Sequence, residues 1–371
     1  MQRVPVLSKD GARLMPTKAS RARRWLEQGK AKVVHNDLGI FQIQLLFDAS
    51  GNEVQKIVIG VDPGKYYSGI AVQSVKFTLW MAHLQLPFET VTERMEQRAI
   101  MRRGRRGRRI NRKLPFEYRA HRQKRFDNRR NSKIPPSIRA NRDLEKRIID
   151  ELWQIFPFTK VVYEKVQARG DKGFSPVMVA QKWNLARLAE QGYEVSTIEG
   201  WQTANLRTHL GLHKQKHSKG DAIPATHAVD GVAIACSAFI RYGITSYNSQ
   251  GWIGKVVVTS APFTIIRRPP ISRRQLHLQK PSKGGERRKY GGTTTRHGFR
   301  KGDYVEAVKA GKTYRGWVSG DTEKQVSVSD VDWKRLGQFT ASKVRLIQRS
   351  TGLIVLSTRK LSNLTPLRGQ I

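Results

Sequence analysis

Residues 56–86 read KIVIGVDPGKYYSGIAVQSVKFTLWMAHLQL, and they decide the fold. Three runs rich in β-branched and aromatic residues, KIVIGVD, SGIAVQSV and FTLWMAHLQL, are divided by short breaks, which predicts three antiparallel strands in succession. Gly64 and Gly69 punctuate the first turn, and Pro63, with no N–H to give, is expected to stop the first ladder. The first run ends on Asp62, a carboxylate at the end of a buried strand.

Two further acids stand in similar surroundings. Glu164 follows the apolar run Val161-Val162-Tyr163 in KVVYEKV. Asp230 lies on an apolar helix in THAVDGVAIA, with His227 three residues earlier and therefore on the same face. Carboxylates so placed are costly unless something compensates their charge. A cluster of oxygen ligands suits Mg²⁺, with Mn²⁺ able to substitute. Two ions would serve phosphodiester hydrolysis, with Asp62 bridging them, Glu164 on one and Asp230 on the other. His227 would ligate through a shared water or accept the water's proton. A lone histidine at a helix start is more often structural, but its place beside the third acid reverses that reading.

Composition points the same way. The chain has 371 residues and carries 69 Lys+Arg against 29 Asp+Glu, a formal charge of +40. That excess calls for a polyanionic partner, and beside a two-metal site nucleic acid is the natural one. The single cysteine, Cys236, excludes an intramolecular disulfide and a paired-cysteine zinc site, and reads as a core residue. No apolar run approaches the length of a membrane span, and the opening MQRVPVLSKDG lacks the apolar centre of a signal peptide. A cytoplasmic protein with no membrane partner is expected.

Around the three strands, helices are predicted over 143–156, 176–191 and 225–240, with strands over 160–166 and 193–198. The fold class is therefore α/β, a mixed sheet of the RNase H-like kind flanked by helices. Residues 1–55 form a small unit with strands at 4–7, 32–35 and 40–47 and a basic helix over 19–28. Arg21, Arg23 and Arg24 on that helix suggest RNA binding. Between the third strand and the first long helix runs MRRGRRGRRINRKLPFEYRAHRQKRFDNRR. From Arg102 to Arg130 it holds 12 Arg, 2 Lys and 2 acids. A helix basic on every side cannot bury itself against protein, but it can lie between nucleic-acid backbones. Arg102, Arg103, Arg105, Arg106, Arg108, Arg109, Arg112, Arg122 and Arg125 are its expected contacts. After residue 258 comes a basic linker, then short strands with glycine turns that suggest a small SH3-like β-barrel. Weaker candidates are Lys65, Tyr66, Tyr67 and Ser68 against a scissile strand, and His209, His213 and His217 against substrate or RNA.

The ordered trio IGVDPG, VYEKV and HAVDGVAIA resembles the three split motifs of RuvC-like nucleases. The arginine-rich insertion is similar to the bridge helix of RNA-guided nucleases. The opening LSKDGARLMPTKASRARRWLEQGKAKVV resembles the "PLMP" region of the IscB family, with Arg13 where the first proline usually stands. IscB proteins carry an HNH nuclease between the second and third motifs, whereas only 63 residues separate Glu164 from His227 here. That matches the IsrB group, the HNH-lacking relatives. The resemblance implies an RNA-guided DNA nickase. A structured guide RNA (ωRNA) pairs with double-stranded target DNA, and the single RuvC-like site cuts the displaced strand. It further implies a monomer in the complex, from a transposon-associated prokaryotic system and at the nucleoid when bound to DNA. It divides the chain into an N-terminal domain (1–55), RuvC-like segments (56–92, 133–200, 201–258), a bridge helix (93–132) and a linker with target-flanking-motif domain (259–371). Two other readings stay open: a RuvC-like junction resolvase acting without RNA, and a non-catalytic RNA-binding protein.

Overall fold

The computed structural model describes residues 2–51, 53–109, 113–118, 134–167, 176–212, 224–246, 249–271 and 293–358. Two compact units result, one built from 1–86, 138–267 and 355–371, the other from 87–137 and 268–354.

The first unit opens with β1 (Arg3–Leu7), β2 (Arg13–Lys18), α1 (Ala19–Glu27), β3 (Ala31–Val34) and β4 (Gln42–Leu45), a sheet ordered β2-β1-β4-β3. Strand β2 is unexpected from the sequence, because Pro16 and the basic ends of RLMPTK disguise it. It lies at a sheet edge, where a missing N–H is tolerated. Arg13 donates to the Trp153 carbonyl at 2.6 Å, and its guanidinium lies 3.7 Å from the Trp153 ring centroid. Burial lowers its pKa from the usual arginine value. This arginine ties the small sheet to α3 (Pro136–Trp153).

The main sheet has β5 (Ile57–Pro63), β6 (Tyr67–Ser74) and β7 (Thr78–Gln85) as an antiparallel meander, as predicted. Pro63 is the last residue of β5, opposite Ser68, so the ladder runs one residue further than expected. Next come β8 (Lys160–Lys165), α4 (Pro176–Glu190), β9 (Glu194–Glu199), α5 (Gly200–His209) and α6 (Pro224–Cys236). The hairpin β10 (Arg241–Ser246) and β11 (Ser249–Ile253) precedes β12 (Phe263–Arg267). With β18 (Ile354–Thr358), the seven strands are ordered β18-β12-β7-β6-β5-β8-β9. β8 joins β5 in parallel, β9 joins β8 in parallel, and β12 joins β7 in parallel. The fold is thus mixed α/β.

Helices cover both faces of this sheet. Val162 belongs to the buried cluster of α6, while Tyr163, one residue on and so on the opposite face, bonds to Arg142 of α3. Helix α3 starts seven residues before the predicted 143, since Pro136 suits a first helical turn, and stops at Trp153. Its polar start hid it: Asn141, Arg142 and Glu145 are buried and hydrogen-bonded rather than solvated. Helix α6 ends at Cys236, four residues short of the prediction, in a turn.

In the second unit, α2 (Phe88–Arg109) is a 22-residue helix. The strands β13 (Tyr304–Lys309), β14 (Lys312–Asp321), β15 (Gln325–Ser329), β16 (Arg335–Thr340) and β17 (Val344–Gln348) form an antiparallel sheet ordered β16-β15-β14-β13-β17. Val305, Val318, Val326, Val328 and Phe339 form its core. Among the described residues no helix is long and apolar enough to cross a membrane.

Candidate active site

Side-chain alternation brings the predicted acids to one face. Gly60 of β5 lies against α6, so Asp62, two residues on, points to the same face. Val162 of β8 packs in the α6 cluster, which puts Glu164 on that face too, on the strand next to Asp62. Helix α6 can reach them because its backbone touches the strands directly. A methyl group at Gly69 would overlap the carbonyl oxygen of His227, and one at Gly60 would overlap the Gly231 carbonyl and the Ala235 nitrogen. The glycines of IGVDPG and SGIAV therefore set how close the helix bearing His227 and Asp230 comes.

His227 Nδ1 stands 3.2 Å from Asp62 Oδ2. Its ring packs against Tyr67 and His83, at centroid distances of 5.8 and 5.3 Å, and Tyr67 stacks on His83 at 4.9 Å. His83, opposite Gly69 on β7, is buried, and its Nδ1 finds no hydrogen-bond partner among the described residues. Burial, with the neighbouring His227 adding to it, pulls its pKa down to about 3, so the ring is neutral. Sequence reasoning passed over His83, although a histidine inside MAHLQL, in an apolar strand, is the kind of signal that marks it.

Asp230 is buried and pairs with Arg207 of α5. Neither α5 nor Arg207 was foreseen: the helix follows β9 without a break, and its only sequence mark is the Glu199–Gln202 capping box. Glu164 lies beside the start of the same helix, where a methyl on Gly200 would come 3.3 Å from Glu164 Oε1.

Beneath Asp62, on the α3 face, lies a second polar cluster. Arg142 donates to Glu145 Oε2 at 2.7 Å, to Tyr163 Oη at 2.6 Å and to the Gly64 carbonyl at 2.6 Å. Tyr163 Oη donates to Glu145 Oε2 at 2.5 Å, and Ser68 donates to Glu145 Oε1. Asn141 donates to the Lys65 carbonyl at 2.8 Å. Burial pushes the Glu145 carboxyl up from the usual carboxylate value, against the pull of Arg142 and of the hydroxyls. Burial likewise pushes the Tyr163 phenol well up. The cluster clamps both the turn after Asp62 and the residue before Glu164. Ser68, expected at a scissile strand, is buried within it instead.

The oxygen donors of Asp62, Glu164 and Asp230 fit hard divalent ions in kind. As placed, no three His, Cys, Asp or Glu side chains among the described residues stand close enough to share one ion, and Asp230 is engaged by Arg207. Of the expected nucleic-acid contacts, Arg21, Arg23 and Arg24 lie exposed on α1, and Arg103 is exposed on α2 with Arg102 half-buried. Arg105, Arg106, Arg108 and Arg109 are in the backbone of α2, while Arg112, Arg122, Arg125, His213 and His217 lie outside the described residues.

Residues 4–173, just under half of the chain, match the protein-family model described as "RRXRR protein". No curated protein matches the chain. Among solved structures it is similar to RuvC of Thermus thermophilus in complex with Holliday junction substrate. That match is 17% identical with a TM-score of 0.27, over 49% of this chain and 90% of that one. A further Thermus thermophilus RuvC structure is 15% identical with a TM-score of 0.25, over 48% of this chain and 90% of that one.

Proposed function

We propose that this chain is an RNA-guided DNA nickase with one RuvC-like site, formed by Asp62, Glu164, His227 and Asp230. The observation that carries the reading is the convergence of these residues on one sheet face, with His227 in contact with Asp62. Divalent ions, when bound, supply charge stabilisation at the scissile phosphate and activation of a water. Asp62, on a strand end clamped from below, and Glu164 on the next strand are the rigid oxygen donors. Asp230 adds a donor from α6. With its Nδ1–H donated to Asp62, the His227 ring carries its lone pair on Nε2, which accepts the proton of the attacking water.

A guide RNA accounts for the charge of +40 and for the arginines exposed on α1 and α2. In this reading α2 opens the bridge helix, and the five-stranded sheet of the second unit is the SH3-like domain that reads the flanking motif. Target choice is left to base pairing.

The test is to express the full chain from its own locus, sequence the RNA that copurifies, and assay cutting of a matched duplex with Mg²⁺. One abundant structured RNA with a variable segment, and a nick in one strand only, is the expected result. Asp62→Ala should retain the RNA and lower nicking by about 10³-fold or more, the scale of removing an interaction worth several kcal/mol in the transition state. Cleavage of four-way junctions without RNA would replace this reading by the resolvase. RNA binding with no cleavage of any DNA would replace it by the non-catalytic reading.

A further inference from the structure

Asp230 sits on a helix whose neighbours Val229, Val232 and Ala233 are buried, and its own side chain is 5% exposed. A carboxylate there needs a cation beside it. Arg207 is such a cation in the structure, pairing with Asp230 Oδ1, and at 18% exposed it retains a solvent-facing side. Arg142 and Arg207 of the first unit, each paired with a buried acid, differ in this respect. Arg142 is enclosed by Glu145, Tyr163 and the Gly64 carbonyl, whereas Arg207 keeps part of its surface in solvent while it holds Asp230.

The helix that carries Arg207 is anchored without its help. Thr203 and Leu206 are buried, the capping box holds the start, and Trp252 Nε1 donates to Asn205 Oδ1 at 3.2 Å. The guanidinium can therefore swing on its own stem while the backbone stays. Its planar fork of N–H donors matches a phosphate as well as a carboxylate.

We propose that Arg207 is a resident counter-ion that occupies Asp230 until nucleic acid arrives, so that a backbone phosphate and a divalent ion are taken up together. This rests on the metal-dependent nuclease reading above. A guanidinium and a divalent ion compete for the same carboxylate, and like charges side by side oppose each other. A strand phosphate offers Arg207 another anion, which opens to the ion the Asp230 oxygen that Arg207 held. Metal and strand then bind with positive coupling, and the site is kept from charging with metal when no substrate is present.

The experiment is a titration of the purified full chain with Mn²⁺, the free ion being counted by electron paramagnetic resonance. It is run with and without a single-stranded DNA oligonucleotide, on wild type, Arg207→Gln, Asp62→Asn and Arg207→Gln/Asp230→Asn. Without DNA, Arg207→Gln should bind Mn²⁺ about tenfold more tightly than wild type, a coupling of ordinary size, and adding Asp230→Asn should erase that gain. The oligonucleotide should tighten Mn²⁺ binding to wild type and leave Arg207→Gln unchanged. A companion measurement needs no variant: in wild type, Mg²⁺ together with the oligonucleotide should shift the Arg207 guanidinium resonance to a new position, saturably. An immobile resonance overturns the proposal, even where the variant fails to fold. Mn²⁺ binding that falls in Asp62→Asn but ignores Arg207→Gln overturns the counter-ion and leaves the nuclease reading standing. No Mn²⁺ binding by any form overturns both.

Discussion

Arg142–Glu145 and Arg207–Asp230 are both arginine–carboxylate pairs, set on opposite faces of one sheet, and they are built for different purposes. The first has side chains 1% and 0% exposed and is completed by two hydroxyls and a backbone carbonyl. Nothing outside the protein can reach it. It locks the turn after Asp62 to the strand that carries Glu164. The second has its arginine 18% exposed, and its acid is one of the residues expected to do chemistry. Enclosure separates a pair that fixes distances from one that can exchange partners. A hydrogen-bonded charge in the interior is expensive to disturb, whereas a partly exposed one can be traded for another ion.

The sharpest way to break this comparison is to cut both pairs from the arginine side. Arg142→Met leaves Glu145 buried without its cation, and we expect a loss of about 3–5 kcal/mol in urea unfolding. Arg207→Met should cost only about 1–2 kcal/mol, with part of the loss recovered on adding Mg²⁺. Equal losses would mean that the two pairs serve the same purpose.

A second way separates the clamp below the sheet from the helix above it. Gly69→Ala places a methyl on the His227 carbonyl, so α6 must lift from β6. We expect about 1–3 kcal/mol of destabilisation by thermal unfolding and a disproportionate loss of cleavage, because both His227 and Asp230 ride on that helix. Cleavage at the wild-type rate would show that α6 need not sit so close.

The smallest expected effect concerns the ring behind His227. His83 has its pKa lowered to about 3 from 6.5, so the folded chain refuses a proton that the unfolded chain binds. Its contribution is therefore full above pH 6.5 and declines as pH falls towards 3. Between about pH 6.5 and 5.5 wild type should lose about 1 kcal/mol that His83→Gln does not, read as a steeper fall in Tm. Parallel curves would place His83 in a wetter setting.

The sequence disclosed the meander of β5 to β7, the strands β8 and β9 and the helices α4 and α6, because their apolar periodicity is strong and their limits are marked by glycine or proline. Asp62, Glu164, His227 and Asp230 stood out as candidates for the same reason, as polar residues at the ends or on the faces of apolar runs. What escaped follows a pattern as well. β2 is an edge strand with a proline, and α5 is a ten-residue helix of weak amphipathic character. The first turns of α3 look solvated, since Asn141, Arg142 and Glu145 are polar, and only tertiary structure shows that Arg142 pairs with Glu145 and that Asn141 donates to the Lys65 carbonyl. Arg207 escaped with its helix. Pairings between residues 23 positions apart, as for Arg207 and Asp230, leave no periodic trace.

The seam of glycines under α6 has a consequence for anyone who would retune this chain. Because main chain meets main chain at Gly60, Gly69 and Gly231, the reach from strand to helix is set by the radii of backbone atoms, not by side chains that can be traded. A library that varies Val58, Ala71 or Val232 would repack the surroundings yet leave that length unaltered. It behaves as a fixed gauge, and variation aimed at the candidate site belongs on the residues it holds in place.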